Sequence, residues 1–120
     1  MPFQVKRVYD PPSPEDGVRV LLDRLWPRGL AKEKARVDWW ARELAPSDAL
    51  RRWFGHEPEK YPEFVRRYRE ELRGNPALAR LKALGEKGTV TLLFGAKEAR
   101  YNNAQALLAI LEGLKDREGP

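Results

Sequence analysis

Cysteine is absent from the 120-residue chain, and with it go thiol nucleophiles, zinc–thiolate sites, iron–sulfur clusters and disulfide frameworks. Histidine and methionine occur once each, and the serines are limited to Ser13 and Ser47. No convincing Ser-His-Asp arrangement can be built from that stock. Metal-ligand spacing is also missing, so neither a metal nor a cofactor is expected. Although 42% of the residues are hydrophobic, no apolar run approaches the ~18 residues that cross a bilayer, and no membrane association is expected. The opening MPFQVKRVYD lacks the apolar stretch of a signal peptide and reads as a strand. The expected compartment is the cytoplasm.

Charge is what the chain has in excess, at 34% of residues against a typical ~25%. Together with few labile residues, this profile suits a heat-stable protein. The net charge of +5 and a pI near 9.7 make an anionic partner plausible. Yet the basic residues are dispersed among acids, as in RRYREEL at 66–72, which reads as a solvated mixed-charge face instead of a nucleic-acid tail.

The length allows one domain. Alternation and β-rich residues predict a strand over Gln4–Tyr9, stopped by the proline-rich loop 10–17, and a second, largely apolar strand over Val18–Leu25. The two are either an antiparallel hairpin with a wide loop or non-adjacent. Val37, Trp40 and Leu44 share a helical face, and Ala45-Pro46 ends that predicted helix. Ser47 reads as the N-cap of a helix over Asp48–Phe54 that stops at Gly55. A third helix opens at Pro62, carries Phe64, Tyr68 and Leu72 inward and closes at Gly74. A fourth begins at Asn75-Pro76 and runs through Leu78, Leu81 and Leu84 until Gly85 and Gly88 release the chain. Thr89–Phe94 is the clearest buried strand. An amphipathic helix from about Asn102 to Lys115 follows, with Ala104, Leu107, Leu108, Leu111 and Leu114 on one stripe. The order predicts a small single α/β domain: a central sheet of about three or four mostly parallel strands, packed by several short helices in Rossmann-like layers.

In open parallel sheets, ligands bind outside the carboxyl ends of the strands, and two strand ends here carry unusual residues. After the second strand, Asp23-Arg24-Leu25-Trp26-Pro27-Arg28-Gly29 sets two guanidiniums and a carboxylate around an aromatic and a rigid turn. Arginine forks match phosphate and carboxylate oxygens; the plainer reading is local ion pairing with Trp26 in the core. After the third predicted strand, Gly95-Ala96-Lys97 leads to Asn102-Asn103 at a helix N-terminus, a place where backbone donors and the dipole favour an anion. The plainer reading there is an asparagine N-cap with a solvated Lys97. His56 either satisfies carbonyls at a helix end or serves as acid or base. Glu43, Asp38 and Asp48 read as solvated or paired carboxylates. Adjacent Trp39 and Trp40 cannot both face inward from one helix, so one of them belongs to the surface, a dimer contact or a pocket wall.

Arg7-Val8-Tyr9-Asp10, Asp16-Gly17, the string DRLWPRG at 23–29, Glu43-Leu44-Ala45-Pro46-Ser47, Leu50–His56, Thr91-Leu92-Leu93, Ala96-Lys97 and Asn103-Ala104 together resemble the YeaO-like family of small bacterial proteins, a domain-of-unknown-function family (488). The resemblance spans nearly the whole chain. It implies a small, three-layer-like α/β domain whose strand-end loops are the shared surface, and it supplies no reaction. It also implies an acidic residue soon after the Ala-Lys pair, here Glu98. The resemblance also implies cysteines in the corresponding last loop of more distant relatives; this chain has none there, which excludes a cysteine mechanism for it.

These readings lead to an anion-binding pocket for a phosphate- or carboxylate-bearing small molecule or a nucleotide. Arg24 and Arg28 would clamp the anion, Lys97 would add charge, and donors near Asn102 and Asn103 would complete the cradle. Tyr9, Asp10 and Asp23 would position these groups or act as acid or base, with Trp26 as a wall. Whether the chain is an enzyme stays open. The rival readings are nucleic-acid binding, favoured by fifteen arginines but not by the mixed charge, and a homodimeric interaction module built on the tryptophans. The pocket requires the second and third predicted strands to run the same way.

Overall fold

The computed structural model describes residues 2–118, with side-chain surroundings through residue 113. Four strands, β1 (Phe3–Arg7), β2 (Val18–Leu21), β3 (Trp39–Trp40) and β4 (Val90–Phe94), form one sheet in the order β1-β4-β2-β3. Every neighbouring pair is parallel. β1 and β2 therefore take the second of the two arrangements left open by the sequence: β4 lies between them. Because β2 and β4 are adjacent and parallel, the loops that follow them emerge at one edge, the geometry required for a shared pocket.

Alternation along the strands sorts side chains between two faces. Phe3, Val5, Val18, Val20, Leu22, Trp39, Val90, Leu92 and Phe94 all belong to the larger core. That core is completed by α2 (Asp48–Phe54), α3 (Tyr61–Leu72), α4 (Pro76–Lys87) and α5 (Asn103–Glu118). On the opposite face, Val8, Leu21 and Leu93 form a smaller cluster with Trp26, Leu30, Val37 and Trp40. The third layer is thus thin, made of loop segments and the four-residue helix α1 (Lys32–Ala35). Next to this cluster, buried Arg19 donates to Asp16 Oδ2 at 2.6 Å and to the Ala35 carbonyl at 2.8 Å, while Lys6 bonds the same Asp16 carboxylate at 3.2 Å.

The helix expected over residues 37–44 does not form. Trp39 and Trp40 pair with Val20 and Leu21 as a parallel edge strand, and Arg42–Leu44 follows as a 3-10 turn. The helical spacing of Val37, Trp40 and Leu44 was coincidental: Val37 and Trp40 pack on the thin face, whereas Leu44 enters the main core. As neighbours in a strand, the two tryptophans point to opposite faces, which resolves the difficulty a helix would have posed. Their half-buried rings are each covered by an arginine, Arg80 at 4.0 Å from Trp39 and Arg42 at 4.3 Å from Trp40.

The other helices agree with the sequence reading to within a few residues. Ser47 accepts from the Leu50 amide at 3.1 Å and Gly55 adopts the left-handed C-cap of α2. Asn75 caps α4 by accepting from the Ala77 amide at 2.9 Å. α4 runs through Gly85 instead of ending there, because Phe3 packs against that glycine: an added Cβ would lie 2.5 Å from the ring. Ala104, Leu107 and Leu111 of α5 are buried and Leu108 is partly buried. The side chain of Leu114, the last member of that stripe, lies outside the described residues, as does that of Lys115. No helix among the described residues is long and apolar enough to cross a membrane.

Candidate functional site

At the carboxyl edge of β2 and β4, beneath α2 and the first turn of α5, lies a cavity of about 210 Å3. Its inner wall is apolar: Leu22 and Phe64 are essentially inaccessible, and Phe54 stacks on Phe64 at 4.1 Å between ring centroids. Asp23, Ala96 and Asn103 also line it. Arg24, Leu25, Asp48, Arg51 and His56 line it and are exposed or partly exposed, and they form its mouth.

Asp23 ties the two strand-end loops together. Its Oδ2 accepts the Gly95 amide at 2.9 Å, and its Oδ1 accepts Asn103 Nδ2 at 3.3 Å. Asn103 also donates to the Leu22 carbonyl at 3.1 Å, and Trp40 Nε1 donates to the Asp23 carbonyl at 2.8 Å. The close approach demands glycine at 95, where a Cβ would sit 2.5 Å from Asp23 Oδ2. Burial pushes the Asp23 carboxyl above its ordinary value, against the opposing pull of the Asn103 and Gly95 hydrogen bonds and the positive charge of His56 and Arg51.

The mouth is basic. Arg24 donates to the Pro46 carbonyl at 3.2 Å, and Arg51 donates to Asp48 Oδ1 at 2.7 Å. A guanidinium offers five N–H groups, so neither is saturated by these contacts. His56 holds a left-handed backbone (φ 58°) directly after left-handed Gly55, which is uncommon for a side-chain-bearing residue. Its Nδ1 lies 2.8 Å from the Tyr101 carbonyl. Because a carbonyl can only accept, Nδ1 carries the proton and Nε2 is the second polar atom of the ring. His56 therefore satisfies a carbonyl of the β4–α5 loop, and not one at the end of α2.

Of the residues singled out from sequence, the cavity gathers Asp23, Arg24, His56 and Asn103. Arg28 and Lys97 are exposed and do not line it, so the Arg24–Arg28–Lys97 clamp is not assembled here. Tyr9 instead donates to the Arg28 carbonyl at 2.6 Å while Arg7 covers its ring at 4.5 Å. Asp10 is exposed beside it. Trp26 packs edge-on against Trp40 at 5.3 Å and donates to the Leu30 carbonyl at 2.7 Å, on the thin face.

The backbone cradle expected between Gly95 and Asn103 is filled by the chain itself. Buried Asn102 is the N-cap: its Oδ1 accepts the Gln105 amide at 2.9 Å and its Nδ2 donates to the Glu98 carbonyl at 2.7 Å. Glu98 Oε2 takes the Arg100 and Tyr101 amides at 2.8 and 3.3 Å. These amide bonds hold the Glu98 carboxyl below its ordinary range. With Asp23 on Gly95, internal carboxylates occupy the Gly95, Arg100 and Tyr101 amides of this loop.

Asp48 and Arg51 went unassigned as site residues, and a signal for them was present. They are an i, i+3 pair on α2, which makes them neighbours on the helix surface. Leu25, 76% exposed at the mouth, left no comparable signal.

The family model described as the inactive DUF488-N3 subclade matches residues 2–119. The uncharacterized protein YeaO of Escherichia coli (strain K12) is 41% identical over 115 residues, 95% of this chain and 100% of that protein. The uncharacterized protein Rv3073c of Mycobacterium tuberculosis is 42% identical over 110 residues, 92% of this chain and 93% of its own. No solved structure matches the chain significantly.

Proposed function

The chain belongs to the YeaO-like DUF488 family, in the subclade described as inactive, and on that premise we propose that it binds, without turning over, a small molecule bearing a phosphate or carboxylate. The observation that carries this reading is the strand-end cavity whose apolar wall ends in a mouth bearing Arg24, Arg51 and His56. Guanidinium forks pair with phosphate and carboxylate oxygens through two parallel N–H bonds. The volume of about 210 Å3 falls below the roughly 300–1,000 Å3 of drug-sized sites, which favours a compact ligand over a whole nucleotide. The description of the subclade as inactive agrees with binding in place of catalysis.

Calorimetric titration with n-propyl phosphate and with butyrate tests the reading. Arg24→Ala or Arg51→Ala is expected to weaken the bound anion by about tenfold or more, since a hydrogen bond to a charged group is worth roughly 1.5–3 kcal/mol. Arg28→Ala, outside the cavity, is expected to leave affinity unchanged. Binding indifferent to Arg24 and Arg51 would reject the site, as would loss on Arg28→Ala alone.

A further inference from the structure

Resting on the small-anion reading, we propose that the ligand is zwitterionic: its anion lies between the Arg24 and Arg51 guanidiniums at the mouth, and its ammonium reaches the Asp23 carboxylate on the floor. The cavity is polarised along its depth. Arg24 and Arg51 are exposed, with Asp48 bonded to Arg51 at 2.7 Å, whereas the half-buried Asp23 carboxylate stands at the end of β2.

His56 and Arg51 act on Asp23 only from a distance, and no cation among the described residues touches it. Both of its hydrogen-bond partners, the Gly95 amide and the Asn103 carboxamide, are neutral. Each oxygen accepts one bond, which leaves capacity on both. Among the described residues, no lysine, arginine or histidine nitrogen pairs with it within 4.0 Å, whereas the more deeply buried Asp16 has both Arg19 and Lys6. A carboxylate withdrawn from water without a counter-ion is costly unless something cationic completes it. An ammonium is such a group, with three donors for the open acceptor positions.

The remaining walls define what joins the two charges. Leu22, Phe54 and Phe64 supply apolar lining, which suits a short methylene link with no polar atoms. The class is therefore a small amino acid or an amino-alkyl phosphate.

Two isosteric probe pairs isolate the ammonium: phosphoethanolamine against n-propyl phosphate, and β-alanine against butyrate, each titrated calorimetrically into the full chain at pH 7. In at least one pair the zwitterion is expected to bind about tenfold more tightly or better, the scale of a charge-assisted hydrogen bond. Asp23→Asn is expected to abolish that preference, bringing the two affinities within each pair to a ratio of about one. Equal affinities within both pairs in the unmodified protein would overturn the proposal with no variant needed, and the anion reading would survive if n-propyl phosphate still bound. A preference that persists in a folded Asp23→Asn protein would overturn it too. Failure of all four probes to bind would overturn the anion reading along with it.

Discussion

Asp23 holds the site together at some expense to the fold. Burial raises its carboxyl above the ordinary value, so the folded state holds the proton more tightly than the unfolded chain. That contribution is complete below the unfolded value of about 3.9 and is lost as pH rises through the raised folded value. Ionised Asp23 therefore costs stability at neutral pH. The melting-temperature change caused by Asp23→Asn, relative to the unmodified protein, is predicted to be more favourable at pH 7 than at pH 3.5. Melting curves at the two pH values check this, and a difference that does not vary with pH would contradict it. The tryptophans tell a different story at the same scale. Each ring carries a cation: Lys32 on Trp26, Arg80 on Trp39, Arg42 on Trp40, and Lys60 with Arg67 on Trp53. Trp39 and Trp40, one of which the sequence assigns to the surface, a dimer contact or a pocket wall, each meet an arginine of their own chain.

At the level of elements, the position of β2 depends on a glycine. Gly17 takes a left-handed φ of 63°, and a Cβ there would lie 2.1 Å from the Thr89 carbonyl oxygen, the same atom that accepts the Val18 amide at 3.0 Å. Gly17→Ala is predicted to cost about 1–3 kcal/mol in denaturant unfolding, and an unchanged midpoint would refute that role. The helix caps at Ser47, Gly55 and Asn75, and the strand at 90–94, were legible in sequence because local chemistry decides them. β3 was not legible, since two residues become a strand only through pairing with Val20 and Leu21. For the site, Asp23, Arg24, His56 and Asn103 could be found from the strand-end rule, but their grouping needed the strand order. Arg28 and Lys97 looked equivalent to Arg24 in sequence, and only the path of the chain after Trp26 and after Ala96 separates them from the cavity.

Across the whole molecule, the charges divide into three populations. Exposed helical pairs such as Arg52–Asp48, Arg66–Glu63 and Arg73–Glu70 give the mixed-charge surface and contribute little individually. The Lys6–Asp16–Arg19 cluster gathers at the start of β2, reached by Lys6 from β1, and pairs charge with charge. At the carboxyl edge, Asp23 lacks such a partner and Arg24 and Arg51 stand over the cavity mouth. The two aspartates flanking β2 thus differ: Asp16 is held by two cations, and Asp23 by two neutral donors.

The central claim is that this cavity, and no other basic surface, receives the anion. The measurement that tests it most directly is a two-dimensional 1H–15N NMR titration of the full chain with n-propyl phosphate. Saturable shifts are expected at the Arg51, His56, Gly95 and Asn103 amides, with Arg28 and Lys97 unmoved. Shifts centred on Arg28 or Lys97, or spread weakly over the arginine-bearing helices with no saturation, would contradict it.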